Sequence, residues 1–294
     1  MSQTVCLDLR HLDLPGAIAA YILLAPEPTV VDPGPATTFP HLLEGLERLG
    51  VGRRDLRHVA LTHVHLDHAG ATGDLVAAFP EATVHIHADG APHMVDPSRL
   101  VASTRRTFGD AHDRLWGEVR PVPVDRVRAW LPGQEGPWAG LRPLSTPGHI
   151  GHHVAYLDER DGTLFSGDSM GIVLADSAPT HPPTPAPAID LRAWERTLEA
   201  ISAVAPERFG ATHFGFHGDV PSRVAQLRER LAALEARVRS AMARGDADDA
   251  LRYDREVRDE LAPYLGRDGV ERYFDMFTAA NDYAGVRFYL KRNP

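Results

Sequence analysis

Short apolar runs bounded by glycine and proline punctuate the first two thirds of the chain. Residues 17–24, Thr29–Val31, 58–61, 83–86 and 141–144 are such runs and read as strands. Between them, 39–49 and 72–79 repeat their apolar positions at helical spacing, the first closed by Gly50 and the second by Pro80. Strands alternating with helices predict an α/β layered fold. The strand signal lapses over 89–119, where 98–108 has helical spacing, so a helical insertion is expected there. Strands resume at 154–157 and 163–165, and 191–204 reads as a helix with Asp190 as its N-cap.

Residues 177–188 carry five prolines between 179 and 187. Missing N–H groups and fixed φ angles make this an extended loop. Beyond Gly218 the pattern changes. Val220, Val224, Leu227, Leu231, Leu234 and Val238 recur at spacings of four and three, giving one apolar stripe on a helix, and 247–261 and 270–280 continue the helical pattern. The organisation predicted is an α/β body over 1–219 and a helical extension over 220–294. The extension is expected to cover an edge or face of the body, with a homodimer seam as the alternative.

The 294 residues hold 43% apolar and 24% charged side chains, a globular balance. No apolar stretch approaches the roughly 18 residues of a membrane span. Met1-Ser2-Gln3-Thr4 lacks the basic and apolar regions of a signal peptide, so a cytoplasmic location is expected. The single cysteine, Cys6, excludes an intramolecular disulfide and any chemistry that needs paired thiols. A formal charge of -9 argues against a broad nucleic-acid or anionic-membrane surface. The unusual number is 16 histidines, and their placement decides what they mean.

Leu61-Thr-His-Val-His-Leu-Asp-His-Ala-Gly70 sits where a strand ends and a helix begins. His63, His65, Asp67 and His68 thus place four ligand-type side chains at one turn, where they can converge. Imidazole nitrogen suits zinc and iron, and carboxylate oxygen suits harder ions.

With this string the sequence resembles the metallo-β-lactamase-fold superfamily, and later motifs follow in the family's order. Val31-Asp-Pro-Gly34 is similar to the early loop whose aspartate, here Asp32, supports the metal ligands. Ser145-Thr-Pro-Gly-His149 looks like the segment that supplies the ligand His149, and Phe165-Ser-Gly-Asp-Ser169 like the one that supplies a bridging carboxylate, Asp168. Thr212-His-Phe-Gly215 stands in the place of the final ligand, His213, where many members have Gly-His-Gly. The resemblance implies a four-layer αββα sandwich over 1–219. It also implies one metal held by His63, His65 and His149, a second held by Asp67, His68 and His213, and Asp168 shared between them.

What the resemblance implies chemically is a binuclear hydrolase. Two divalent ions roughly 3.5 to 4 Å apart can bring the pKa of a bridging water toward about 7 and make hydroxide the nucleophile. Asp67 is the expected proton shuttle, and Asp32 holds a ligand imidazole in its tautomer. Zinc is the expected metal, with iron and manganese accepted by the same donors. Antibiotic-degrading lactamases generally lack the bridging aspartate, which directs the reading to the glyoxalase II and lactonase branches and to a thioester, lactone or other carboxylic ester. The alternatives are a phosphodiesterase, possibly a nuclease, with the same centre, and a mononuclear iron sulfur dioxygenase. Residues 1–219 hold 27 acids and 17 bases. Bound cations would nevertheless make the centre locally positive, so the expected partner is a small molecule, and an anionic one is allowed.

The other histidines carry blander expectations. His85 and His87 share a strand face and are expected to pack or lie at the surface, with an extra metal site as the alternative, and His181 on the proline-rich loop is expected to be solvated, with a reach to substrate as the alternative. Of His152 and His153, the first is expected to be a structural hydrogen-bonder, and His217 to sit at the rim. Trp116, Phe108, Met170, Phe214, Phe216 and Tyr283 are expected to be core before pocket, and Arg105 and Arg106 to form surface salt bridges.

Overall fold

The computed structural model describes residues 4–131, 133 and 138–293. Met1, Ser2 and Gln3, on which the reading of the N-terminus rests, lie outside the described residues. Eleven strands form two sheets among the described residues. The first sheet has spatial order β1 (Thr4–Asp8), β2 (Ala19–Leu23), β3 (Thr29–Val31), β4 (His58–Ala60), β5 (Thr83–His87), β6 (Val127–Trp130). Its first three strands are antiparallel and the rest run parallel to β3. The second runs β11 (Gly215–His217), β10 (Arg208–Ala211), β9 (Thr163–Gly167), β8 (Val154–Asp158), β7 (Leu141–Ser145), with β9 and β10 parallel and the other pairs antiparallel.

The period of two along a strand sorts side chains between layers. Ala19, Tyr21 and Leu23 of β2 and Val154 and Tyr156 of β8 face into the space between the sheets, meeting Trp130, Leu141 and Phe165. Ala20 and Ile22 face the opposite way, into a core with α1 (Phe39–Arg48), α2 (Leu66–Ala69) and α3 (Thr72–Ala78). Ala155, Leu157 and Leu164 point outward on the second sheet against α7 (Leu191–Val204). The result is the expected αββα sandwich. The insertion is helical, as α4 (Ala91–Val95), α5 (Ser98–Phe108) and α6 (His112–Trp116). Asp190 caps α7, its carboxylate accepting from the Ala193 N–H at 2.9 Å.

The extension comprises α8 (Val220–Arg244), α9 (Asp249–Met276, broken at Gly266) and α10 (Ala279–Arg292). The stripe from Val220 to Val238 is buried against α7 and α10, within one core. Leu261, Val270, Tyr273 and Phe274 of α9 join the core over the other sheet. The three helices thus cover both faces of the body, which uses the stripe inside the chain and leaves no need for a dimer to bury it. Among the described residues no helix is long and apolar enough to cross a membrane.

Four strands had no sequence signal. β1 is half-buried along its length, and β6 has two exposed central residues, so neither alternates cleanly. β10 contains Gly210, required because a Cβ there would lie 2.7 Å from the Tyr21 ring. That ring crosses between the sheets so that its hydroxyl donates to the Ala211 and Gly215 carbonyls at 2.7 and 2.8 Å. β11 has three residues and pairs only as the return of that hairpin.

His85 packs as expected, stacked on Trp138 at 3.8 Å between ring centres and bonded to His58 at 2.9 Å. Burial, then the neighbouring His58 and Arg128, push its imidazole down to about 3. The unfolded chain would bind that proton near the ordinary histidine value of about 6.5, so this group stabilises the fold above that pH and the contribution is lost as pH falls toward 3. The melting temperature of the wild type is expected to fall more steeply from pH 7 to 4.5 than that of His85→Phe, by roughly 5 °C. Parallel profiles in calorimetry would contradict this.

Candidate metal centre

Seven polar side chains meet at one end of both sheets. His63 and His65 lie on the segment leaving β4, with His65 as the N-cap of α2, and Asp67 and His68 occupy the first turn of that helix. Asp168 follows β9 and His213 follows β10, while Asp32, which stands behind the seven, follows β3. His149 lies on the loop that enters β8, which runs opposite to β9 and so begins beside its C-terminal end. The centre therefore lies outside the carboxyl ends of parallel strands, where the connecting loops of an open α/β sheet leave a crevice.

The geometry divides the seven into two groups, each with donor atoms within 4.8 Å of one another: His63, His65, His149 and Asp168, and Asp67, His68 and His213. In the first, His65 Nδ1 lies 2.9 Å from both His63 Nε2 and His149 Nε2. In the second, Asp67 Oδ2 is 3.2 Å from His213 Nε2 and 3.6 Å from His68 Nε2. Asp168 spans them. Its Oδ2 is 3.2 Å from His149 Nε2, while its Oδ1 is 3.4 Å from His68 Nε2 and 3.7 Å from His213 Nε2.

The donors fit a metal on three counts. His68 Nε2 and Asp168 Oδ1 are buried without a hydrogen-bond partner, an expensive arrangement unless something binds between them. Imidazole nitrogens packed within 3 Å of each other repel unless a proton or a cation sits between them, and a tetrahedral ion with bonds of about 2.0–2.1 Å would hold its nitrogens about 3.3 Å apart. The charges also call for a cation. Burial works against a protonated His68, yet Asp168, Asp67 and Asp32 hold its imidazole well above the usual range. Burial, reinforced by His68 and His65, drives His63 far below that range, and burial with His149 brings His65 to about 3, so both offer neutral lone pairs. Burial would raise Asp168, but His68 and His149 outweigh it and keep the carboxylate ionised.

In His68, His149 and His213 the Nε2 is aimed by what holds the other ring nitrogen. His68 Nδ1 donates to Asp32 Oδ2 at 2.8 Å. Asp32 is fully buried in the left-handed region at φ 48 and also accepts from the Thr62 N–H (2.9 Å), the Thr62 hydroxyl (2.7 Å) and the Thr212 hydroxyl (3.0 Å). It thereby ties the ends of both sheets to one ligand-type ring. His149 Nδ1 donates to the Pro183 carbonyl at 2.8 Å. His213 Nδ1 faces the Ala17 carbonyl at 3.2 Å and the Tyr273 hydroxyl at 3.1 Å.

Several expectations are corrected. The structural hydrogen-bonder is His153 and not His152. His153 Nδ1 bonds the Thr146 hydroxyl at 2.8 Å, and its Nε2 accepts the Asp168 N–H at 3.1 Å, which fixes the backbone of the spanning carboxylate. His152 packs 6.4 Å from the His87 ring, its Nε2 without a partner. His181 is buried, not solvated, and its Nε2 lies 2.8 Å from Asp282 Oδ2, because the proline-rich loop runs beneath α10. His217 is buried too, bonded to the Phe214 carbonyl at 2.7 Å. Arg105, by contrast, forms the surface salt bridge expected of it, with Asp113 at 2.6 Å.

Sequence reasoning missed His11, Tyr273 and Asp282, which no local motif marks. His11 sits on a loop where Arg10, Leu12 and Asp13 all have positive φ. It is fully buried with neither ring nitrogen bonded, and it stacks on Trp116 of the insertion, whose indole N–H is also unpaired. Trp116 meets Phe277, which packs 5.0 Å from His213. An aromatic wall made by the N-terminal loop, the insertion and the extension therefore flanks the Asp67, His68 and His213 side.

Two packed sheets flanked by helices, with a histidine–aspartate cluster at their shared end, define an αββα fold that carries a candidate metal centre. The chain belongs to the Metallo-beta-lactamase superfamily, whose family model matches residues 20–213. It is 28% identical to the metallo-beta-lactamase fold-containing protein ST1585 of Sulfurisphaera tokodaii over 54% of this chain and 61% of that protein. It is 31% identical to a hydroxyacylglutathione hydrolase of Cupriavidus taiwanensis, over 48% of this chain and 44% of that one. With the thioesterase pkgB of Emericella nidulans it shares 30% identity over 43% of this chain and 28% of that protein. The chain thus spans less than two thirds of the length of each of these relatives. In fold it is similar to a metallo-beta-lactamase family protein of Thermus thermophilus, TTHA1429, with a TM-score of 0.65 and 23% identity over 99% of this chain and 93% of that one.

Proposed function

We propose that this protein is a binuclear metal-dependent hydrolase acting on a thioester, lactone or other carboxylic ester. The observation that carries the reading is the placement of Asp168, with one oxygen toward His149 and the other toward His68 and His213. In this reading His63, His65 and His149 hold one ion and Asp67, His68 and His213 the other, with Asp168 shared. Zinc fits the five imidazoles best, while iron and manganese suit the same nitrogen and oxygen donors. Such a pair, when bound, would supply a nucleophile at neutral pH and Lewis-acid polarisation of the scissile carbonyl. A hydroxyacylglutathione hydrolase and a thioesterase among the relatives support ester over phosphodiester chemistry.

The chain's own groups do the rest. Asp168 fixes the separation of the two halves, and His153 fixes Asp168. Asp67, the more accessible of the two carboxylates at 13% side-chain exposure, accepts the proton released on attack and returns it to the leaving atom. The expected substrate is a small molecule, which is allowed to be anionic beside a positive centre.

The direct test is metal analysis of purified protein together with turnover of a panel of thioesters, lactones and phosphodiesters. Two metal ions per chain and turnover confined to the carboxylic esters are expected. Phosphodiesters as the preferred substrates would overturn the ester assignment, and one iron with oxygen consumption on a persulfide would overturn hydrolysis.

A further inference from the structure

The C-terminal helices reach each half of the cluster by a separate route. On the first, Asp282 of α10 is buried and grips the proline-rich loop at three points. Its Oδ1 accepts the Thr184 N–H at 2.6 Å, its Oδ2 pairs with His181 Nε2 at 2.8 Å, and its carbonyl accepts the Thr184 hydroxyl at 2.9 Å. One residue before Thr184, the Pro183 carbonyl accepts from His149 Nδ1. Helix and loop are in backbone contact here, since a Cβ on Gly285 would fall 1.7 Å from the Thr184 carbonyl oxygen. On the second route, the buried Tyr273 of α9 places its hydroxyl 3.1 Å from His213 Nδ1.

Five prolines without an N–H leave this loop few backbone anchors, and the one beside Pro183 is His181, which exchanges both backbone hydrogen bonds with Ile172. On the far side of Pro183 the chain is held by α10. Thr184 has one backbone N–H and one hydroxyl, and both are committed to Asp282. The position of the His149 imidazole therefore depends on a carboxylate 133 residues further along the chain, with no contact between the two residues themselves.

We propose that the helical extension is a working part of the metal centre, with Asp282 as the positioning residue for the His63, His65 and His149 half and Tyr273 for the Asp67, His68 and His213 half. The inference rests on reading these residues as metal ligands. It differs from a covering role in one respect. Loss of a cover weakens both halves together, whereas loss of one positioning residue weakens one half.

The test uses the full-length protein, stripped of metal and crystallised at a limiting series of zinc concentrations, with anomalous scattering giving the occupancy of each half. Asp282→Ala is expected to raise the zinc concentration for half-occupancy about 10- to 100-fold at the His149 half and to leave the other within a few-fold. Tyr273→Phe is expected to do the reverse. Asp282→Asn keeps an acceptor for the Thr184 N–H and is expected to restore most of the loss. Gly285→Ala, which forces the helix from the loop, provides a second route to the His149-half defect if Asp282→Ala does not fold. Equal weakening of both halves in each variant, or none in either, would overturn the inference. Wild-type protein that takes up zinc at neither half would instead reject the metal-centre reading on which it rests.

Discussion

Asp168→Ala is expected to lower turnover by more than about 10²-fold, in line with the several kcal/mol that metal activation supplies to a hydrolytic transition state. The size of the effect follows from position. Among the described residues Asp168 is the one side chain that offers an oxygen to each group, so its removal unfixes the spacing of both, whereas loss of a single imidazole leaves one group intact. His149→Ala, which removes one of three imidazoles from its half, should also exceed about 10²-fold. Steady-state kinetics on an ester that the wild type hydrolyses, with metal content measured alongside, decides the matter. Near-normal turnover in either variant would remove the two-metal mechanism.

The largest effect on folding is expected at Asp32. Its carboxylate is fully buried and receives four hydrogen bonds, from segments that follow β4 and β10 and from His68. Asp32→Ala leaves the Thr62 N–H and the Thr212 hydroxyl without the carboxylate, leaves the Thr62 hydroxyl only His63 Nδ1 as a partner, and strands the His68 ring without its orienting anion. A cost of about 3–5 kcal/mol is expected in denaturant unfolding, because removing one partner from a buried charged network exposes the full desolvation penalty of the others. Metal affinity should fall about 10- to 100-fold as well. A loss below about 1 kcal/mol would show that Asp32 is not the tie between the sheets that its contacts describe.

How legible each part was depends on how much of its cause is local. His63, His65, Asp67 and His68 are readable because one turn carries all four, and the α/β class is readable because glycine and proline bracket buried strands. β6 is an edge strand whose exposed Arg128 and Ala129 erase the alternation, and β10 needs a glycine only because Tyr21 arrives from the other sheet. The choice between His152 and His153 turns on which ring points at the Asp168 N–H, and nothing in two adjacent histidines encodes that. Asp282 and Tyr273 were illegible for a stronger reason. Their partners lie 98 and 60 residues away, on helices whose amphipathic pattern records only that they pack somewhere. A stripe of valine and leucine marks a buried face, while the contacts of this extension toward the cluster run through single polar residues that reach past that face.

The central claim is that Asp168 joins two metal sites, and crystallographic anomalous scattering from the metal-loaded protein tests it most directly. The account predicts two peaks roughly 3.5 to 4 Å apart, one among His63, His65 and His149 and the other among Asp67, His68 and His213, with Asp168 in contact with both. One peak, or two peaks of which Asp168 touches only one, would contradict it.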